Sequence, residues 1–128
     1  MSTQLKPLTL MIVDDSMVFR NRIARLVSVG TLAHVSVVAQ AENGVRALEY
    51  AARYKPDLVT MDLTMPVMDG PACLAALKTS LPNARIMVVS ALSDRSTALK
   101  ALSKGAHGFL LKPFSDEQLI ESLMELAS

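Results

Sequence analysis

The sequence is short of the residue types that most often announce a function. It has one cysteine, Cys73, no tryptophan, and only 4% aromatic residues. A single thiol excludes an internal disulfide and any metal site built from several cysteines. Cys73 itself reads as a small apolar side chain in a helix. No apolar run approaches the roughly 18 residues of a membrane span, so no membrane insertion is expected. The opening MSTQLKPLTL lacks the basic start and long apolar stretch of a signal peptide, so a cytoplasmic protein is expected. Neither sign of charge is in surplus, with 13 Lys and Arg against 12 Asp and Glu. Direct binding of nucleic acid is therefore not expected.

What is present suits one compact domain spanning 1–128. Half of the 128 residues are hydrophobic (51%) and a fifth are charged (20%), enough to bury a single core. No internal repeat, low-complexity tract or linker interrupts the chain. Short apolar runs recur five times, at 8–13, 35–39, 58–61, 86–89 and 108–111. Most lack strict alternation, as strands covered on both faces should.

Helical periods separate these runs. Phe19, Ile23, Leu26 and Val27 make one apolar face; Val45, Leu48 and Ala52 suggest a second. Leu74 and Leu77 mark a third helix and Leu99 and Leu102 a fourth. Leu119, Ile120, Leu123 and Leu126 mark the last. Asn43-Gly44 and Asp69-Gly70-Pro71 read as turns into helices, and Ser115 with Gln118 as a capping box. Gly30 and Gly105 follow the first and fourth helices, where left-handed caps are common. Five βα units imply an open parallel sheet with helices on both faces. Periodicity leaves two common strand orders open, and either places ligands beyond the carboxyl ends of the strands.

Those ends carry the chemistry. The first run stops at Asp14-Asp15, the third at Asp62, the fourth at Ser90 and the fifth at Lys112-Pro113. A lone Asp at a strand end is usually a turn former; five such positions on one sheet edge are harder to explain that way. Crowded carboxylates repel, and at least one pKa should rise unless a cation joins them. Oxygen ligands of this kind suit Mg²⁺, which keeps several waters and often bridges to phosphate. Lys112 can neutralise a phosphoryl oxygen and Ser90 can donate to another. A free carboxylate can attack phosphorus to form an aspartyl phosphate.

With these residues in place the chain resembles the receiver domains of two-component response regulators, in plan most like the chemotaxis regulators. The matching stretches are MIVDDS (11–16), VTMDLTMPVMDG (59–70), VVSA (88–91) and GFLLKPF (108–114), together spanning nearly the whole chain. The resemblance implies a flavodoxin-like (βα)5 fold with strand order 2-1-3-4-5, an order already known for this family. It implies Asp62 as phosphoacceptor, with Mg²⁺ held by Asp15, Asp62 and the Thr64 carbonyl and, through water, by Asp14. Lys112 and Ser90 would contact the phosphoryl oxygens, and the Lys112-Pro113 bond would be cis.

The same resemblance makes Ser90 and Phe109 the switch pair. Ser90 would move toward the phosphate and Phe109 would fill the vacated space. Because Phe109 lacks a hydroxyl, switching there would rest on packing. The output face would be formed by the fourth helix, fifth strand and fifth helix, and read by a downstream protein. Met17 and Val18 occupy positions where the family docks a histidine kinase or phosphotransfer protein. Thr64 and Leu92 sit where the family tunes hydrolysis, and Leu92 has no group to orient water. The expected protein is thus a signalling phosphoacceptor that catalyses only its own phosphorylation and dephosphorylation. Two rivals are a small haloacid-dehalogenase-like phosphatase and the excised receiver of a transcription factor or methylesterase. The phosphatase would carry its nucleophile on the first strand.

Overall fold

A computed structural model describes residues 6–29, 32–63 and 70–128, apart from the side chain of Leu92. Five strands alternate with five helices: β1 (Leu8–Val13), α1 (Met17–Ser28), β2 (Val35–Ala41), α2 (Gly44–Tyr54), β3 (Leu58–Asp62), α3 (Gly70–Ser80), β4 (Arg85–Ala91), α4 (Arg95–Ser103), β5 (Gly108–Lys112) and α5 (Asp116–Ala127), with a short 3-10 turn at Leu92–Asp94 before α4. The strands form one parallel sheet in the order β2-β1-β3-β4-β5. This is the doubly wound, flavodoxin-like arrangement expected. No helix among the described residues is long and apolar enough to cross a membrane.

The sheet separates two cores, and the strand period of two feeds both. Met11, Val13, Val59, Met61, Ile86 and Val88 face the layer of α2, α3 and α4. Leu10, Ile12, Leu58, Met87, Val89 and Leu110 face α1 and α5. This is why the central strands read as unbroken apolar runs. Each fully buried Leu contributes about 1.5–3 kcal/mol relative to exposure.

The helix caps follow their residue types. Ser16 accepts from the Phe19 N–H, Asn43 from the Arg46 N–H, and Ser115 forms the full capping box with Gln118. Gly105 follows α4 with φ of 110°, the left-handed turn expected of it. Gly30 and Asp69 lie outside the described residues. Cys73 is buried in α3, as its setting suggested.

Two helical faces differ from expectation. In α2 the buried residues are Gly44, Ala47 and Ala51, while Val45 and Ala52 are exposed and Leu48 is only partly covered. In α4 they are Ala98 and Ala101; Leu99 is exposed and Leu102 half-buried. Both helices turn small residues toward the core, so the larger apolar side chains misled the reading of phase. α1, α3 and α5 bury the residues expected, with Phe19 and Ile120 at the margins.

Candidate functional site at the carboxyl edge of the sheet

Register assembles the site. Val13 of β1 pairs with Met61 of β3, so the next residues, Asp14 and Asp62, emerge side by side. Asp62 pairs with Val89 of β4, which places Ser90 one step beyond it. Ala91 pairs with Lys112 of β5. Four strands thus deliver one acid, hydroxyl or amine each to the same edge.

The acids converge. Asp14, Asp15 and Asp62 each offer a carboxylate oxygen, and these oxygens lie within 4.8 Å of one another. Asp14 and Asp62 are buried, whereas Asp15 is exposed. Lys112 reaches across from β5 and sets its ammonium 3.5 Å from Asp14 Oδ2 and 3.7 Å from Asp62 Oδ2. Asp14 is further fixed by the Ser16 N–H, which donates to Oδ1 at 2.9 Å. Arg20 donates to its backbone carbonyl at 2.7 Å. Burial is the main force raising the Asp14 pKa above the usual carboxylate value; the Ser16 bond and Lys112 oppose it, while the charges of Asp62 and Asp15 add to it. The rise expected from crowding is therefore present, but desolvation is its largest cause.

The donor set fits a hard divalent cation. Three carboxylates from two strand ends present only oxygen, with Asp15 open to solvent, so a cation could keep part of its water shell. Ser90 adds a second sign: its hydroxyl is fully buried and has no hydrogen-bond partner among the described residues. An orphaned buried hydroxyl costs about 1–3 kcal/mol, which an incoming acceptor would recover.

The other expected residues fall as follows. The Lys112-Pro113 bond is cis. Phe109 pairs with Val88, is half-buried and packs against the core under α4. It also lines a cavity of about 260 Å³ with Arg85, His107 and Leu126. Met17 and Val18 are 64% and 76% exposed at the start of α1, beside the acids. Thr64 and the Leu92 side chain lie outside the described residues. Gly70, at the start of α3, packs so tightly on the residue after Asp62 that a Cβ there would lie 2.5 Å from the Leu63 Cα.

Sequence reasoning passed over Phe19, which it assigned only to an apolar helix face. The Lys112 ammonium lies 4.0 Å above the centroid of its ring. Helical periodicity records the face of α1 but not the strand it meets, so no sequence signal marked this contact.

An open parallel α/β sheet carrying an acid–lysine–hydroxyl cluster at its carboxyl edge defines a narrow class of proteins. A family model described as the response regulator receiver domain matches residues 10–124. The chain belongs to the response regulator receiver family. It is 39% identical over 120 residues to the chemotaxis protein CheY of Listeria monocytogenes, covering 94% of this chain and 98% of that one. The receiver domain of AraT from Geobacillus stearothermophilus superposes with a TM-score of 0.86 at 31% identity, covering 94% of this chain and 92% of that one. The CheX–CheY–BeF3–Mg²⁺ complex of Borrelia burgdorferi matches with a TM-score of 0.84 at 29% identity, covering 96% of this chain and 91% of that one.

Proposed function

We propose that this chain is a cytoplasmic response regulator receiver that accepts a phosphoryl group on Asp62 and relays the event to a downstream protein, in chemotaxis or related signalling. The observation that carries the reading is the placement of the Lys112 ammonium against both buried acids, 3.5 and 3.7 Å away. The likeness to a chemotaxis CheY, 39% identical over 94% of this chain, supports the chemotaxis-like reading. The phosphatase reading loses its support, because Asp62 ends the third strand and the chain belongs to the receiver family.

In the proposed reaction an Asp62 carboxylate oxygen attacks phosphorus of a phosphohistidine on a kinase or phosphotransfer protein. The new O–P bond forms as the N–P bond breaks, and the departing imidazole takes up a proton. A Mg²⁺ ion bound by Asp14, Asp15 and Asp62, with the Thr64 carbonyl, would offset the charge gathering on the phosphoryl oxygens. Lys112 would turn from the carboxylates to one phosphoryl oxygen, and the Ser90 hydroxyl would donate to another. Met17 and Val18 would form the apolar part of the donor's docking surface.

Phosphorylation adds about −1.5 to −2 charges and three strong acceptors. Ser90 drawn toward them would carry the turn after β4 with it, and Phe109 would pack into the space released. The α4–β5–α5 face would then favour its target. A bias of a few kcal/mol is enough for such a two-state shift.

Acetyl phosphate with Mg²⁺ is the direct test. Labelling should require Mg²⁺, be lost in Asp62→Asn, and be labile to hydroxylamine. Full labelling of Asp62→Asn, or a label that resists hydroxylamine, would refute the assignment.

A further inference from the structure

Lysine is an awkward residue to place. Its four-carbon stem has many rotamers, and its ammonium is a point charge without the fixed fork of arginine. Two carboxylates attract the Lys112 ammonium, but both are expected to exchange partners when a phosphoryl group arrives. A third neighbour does not take part in that exchange. The ring of Phe19 lies with its centroid 4.0 Å from Lys112 Nζ, within the range where a ring's negative face attracts a cation.

That ring is itself held firmly. Phe19 stands in the first turn of α1, where its N–H donates to the Ser16 cap at 3.3 Å. Its ring meets Phe114 with centroids 6.0 Å apart at 50°. The Arg22 guanidinium lies 4.7 Å from the centroid of the Phe114 ring and donates to the Phe114 carbonyl at 2.8 Å. The same Arg22 pairs with Asp116 at 2.9 Å, at the start of α5. α1 is therefore clamped to the junction that follows Lys112, and Phe19 forms a rigid wall beside the amine.

We propose that Phe19 is a positioning residue for Lys112, its ring face holding the ammonium in place while the oxygen partners of that amine change. The inference rests on Lys112 acting as the phosphoryl contact. A cation over a partly desolvated ring gains about 0.5–2 kcal/mol, equivalent to roughly a 2-fold to 30-fold effect on a rate that needs the amine in place.

The test compares Phe19→Leu, Phe19→Met and Phe19→Tyr with the parent protein. NMR of the Lys112 side chain reads the contact itself, since a ring face shifts nearby methylene protons upfield. Labelling by acetyl phosphate at saturating Mg²⁺ reads the consequence. Phe19→Leu and Phe19→Met should abolish the upfield shift and slow labelling at saturating donor several-fold, with little change in the donor concentration at half-maximal rate. Phe19→Tyr should retain both properties. Unshifted Lys112 protons in the parent protein, or parental labelling rates in both aliphatic variants, would overturn the proposal. So would a Phe19→Tyr protein as slow as Phe19→Leu, which would mark a packing role. Should the parent itself fail to label, the phosphoacceptor reading falls. The Lys112 shift then still decides whether Phe19 holds the amine. Unfolding midpoints identify any variant that does not fold, in which case the remaining aliphatic variant and Phe19→Tyr carry the comparison.

Discussion

Thr60 sits in β3, two residues before Asp62, with its hydroxyl buried and without a hydrogen-bond partner among the described residues. A stranded hydroxyl in an apolar layer costs about 1–3 kcal/mol, whereas a methyl in its place costs nothing in desolvation. Thr60→Val should therefore raise the unfolding free energy by about 1 kcal/mol, read from urea denaturation. Ser90 carries the same defect at the sheet edge, where the proposed phosphoryl group would offer an acceptor. His107 raises a different matter. Its Nδ1 accepts from the Ile86 N–H at 3.1 Å, while the His107 backbone N–H donates to the Ile86 carbonyl at 2.8 Å. Partial burial, then Lys78 and Arg85, lower its pKa from 6.5. A protonated Nδ1 cannot accept, so the neutral form stabilises the fold. That contribution is fully present above the unfolded value of about 6.5 and is lost as pH falls through the lower folded value. The urea midpoint should thus fall more steeply below pH 6.5 in the parent than in His107→Gln.

At the scale of elements, α3 is placed by close backbone contact at Gly70 as well as by its buried face of Cys73, Leu74 and Leu77. Gly70 opens the helix, and any Cβ there would meet the Leu63 Cα at 2.5 Å and carbonyl at 2.6 Å. Backbone atoms cannot swing aside as a side chain can. Gly70→Ala should cost about 1–3 kcal/mol in urea denaturation. It should also slow labelling, because the strain falls on the residue next to Asp62. The number and order of the elements were legible in sequence because apolar runs and helical periods alternate cleanly. The phases of α2 and α4 were not, because Ala47, Ala51, Ala98 and Ala101 carry little hydrophobic signal yet occupy the core. The acids, Ser90 and Lys112 were readable because they stand at the ends of the apolar runs that form the strands. Phe19 was not, since its meeting with Lys112 depends on how α1 packs against the end of β5.

Taken as a whole, the molecule concentrates its chemistry on one edge and spreads its supports over both layers. Leu99 of α4 and Met124 of α5 are exposed apolar side chains. The cavity beside Phe109 is also lined by Ser122, Glu125 and Leu126 of α5. Labelling by acetyl phosphate should fall with added urea along the same curve as the loss of helical circular dichroism. A fraction labelled well above the fraction folded would contradict a site assembled by the sheet.

The register that brings Asp14, Asp62, Ser90 and Lys112 together has a consequence for quality control. A strand slipped by one residue would turn these side chains to the wrong layer, and an unfinished chain would hold them far apart. On the proposed reading, a misfolded copy would be deaf to the donor as well as unstable. It would neither consume phosphoryl groups nor send a false message, so the signal would certify the integrity of its carrier.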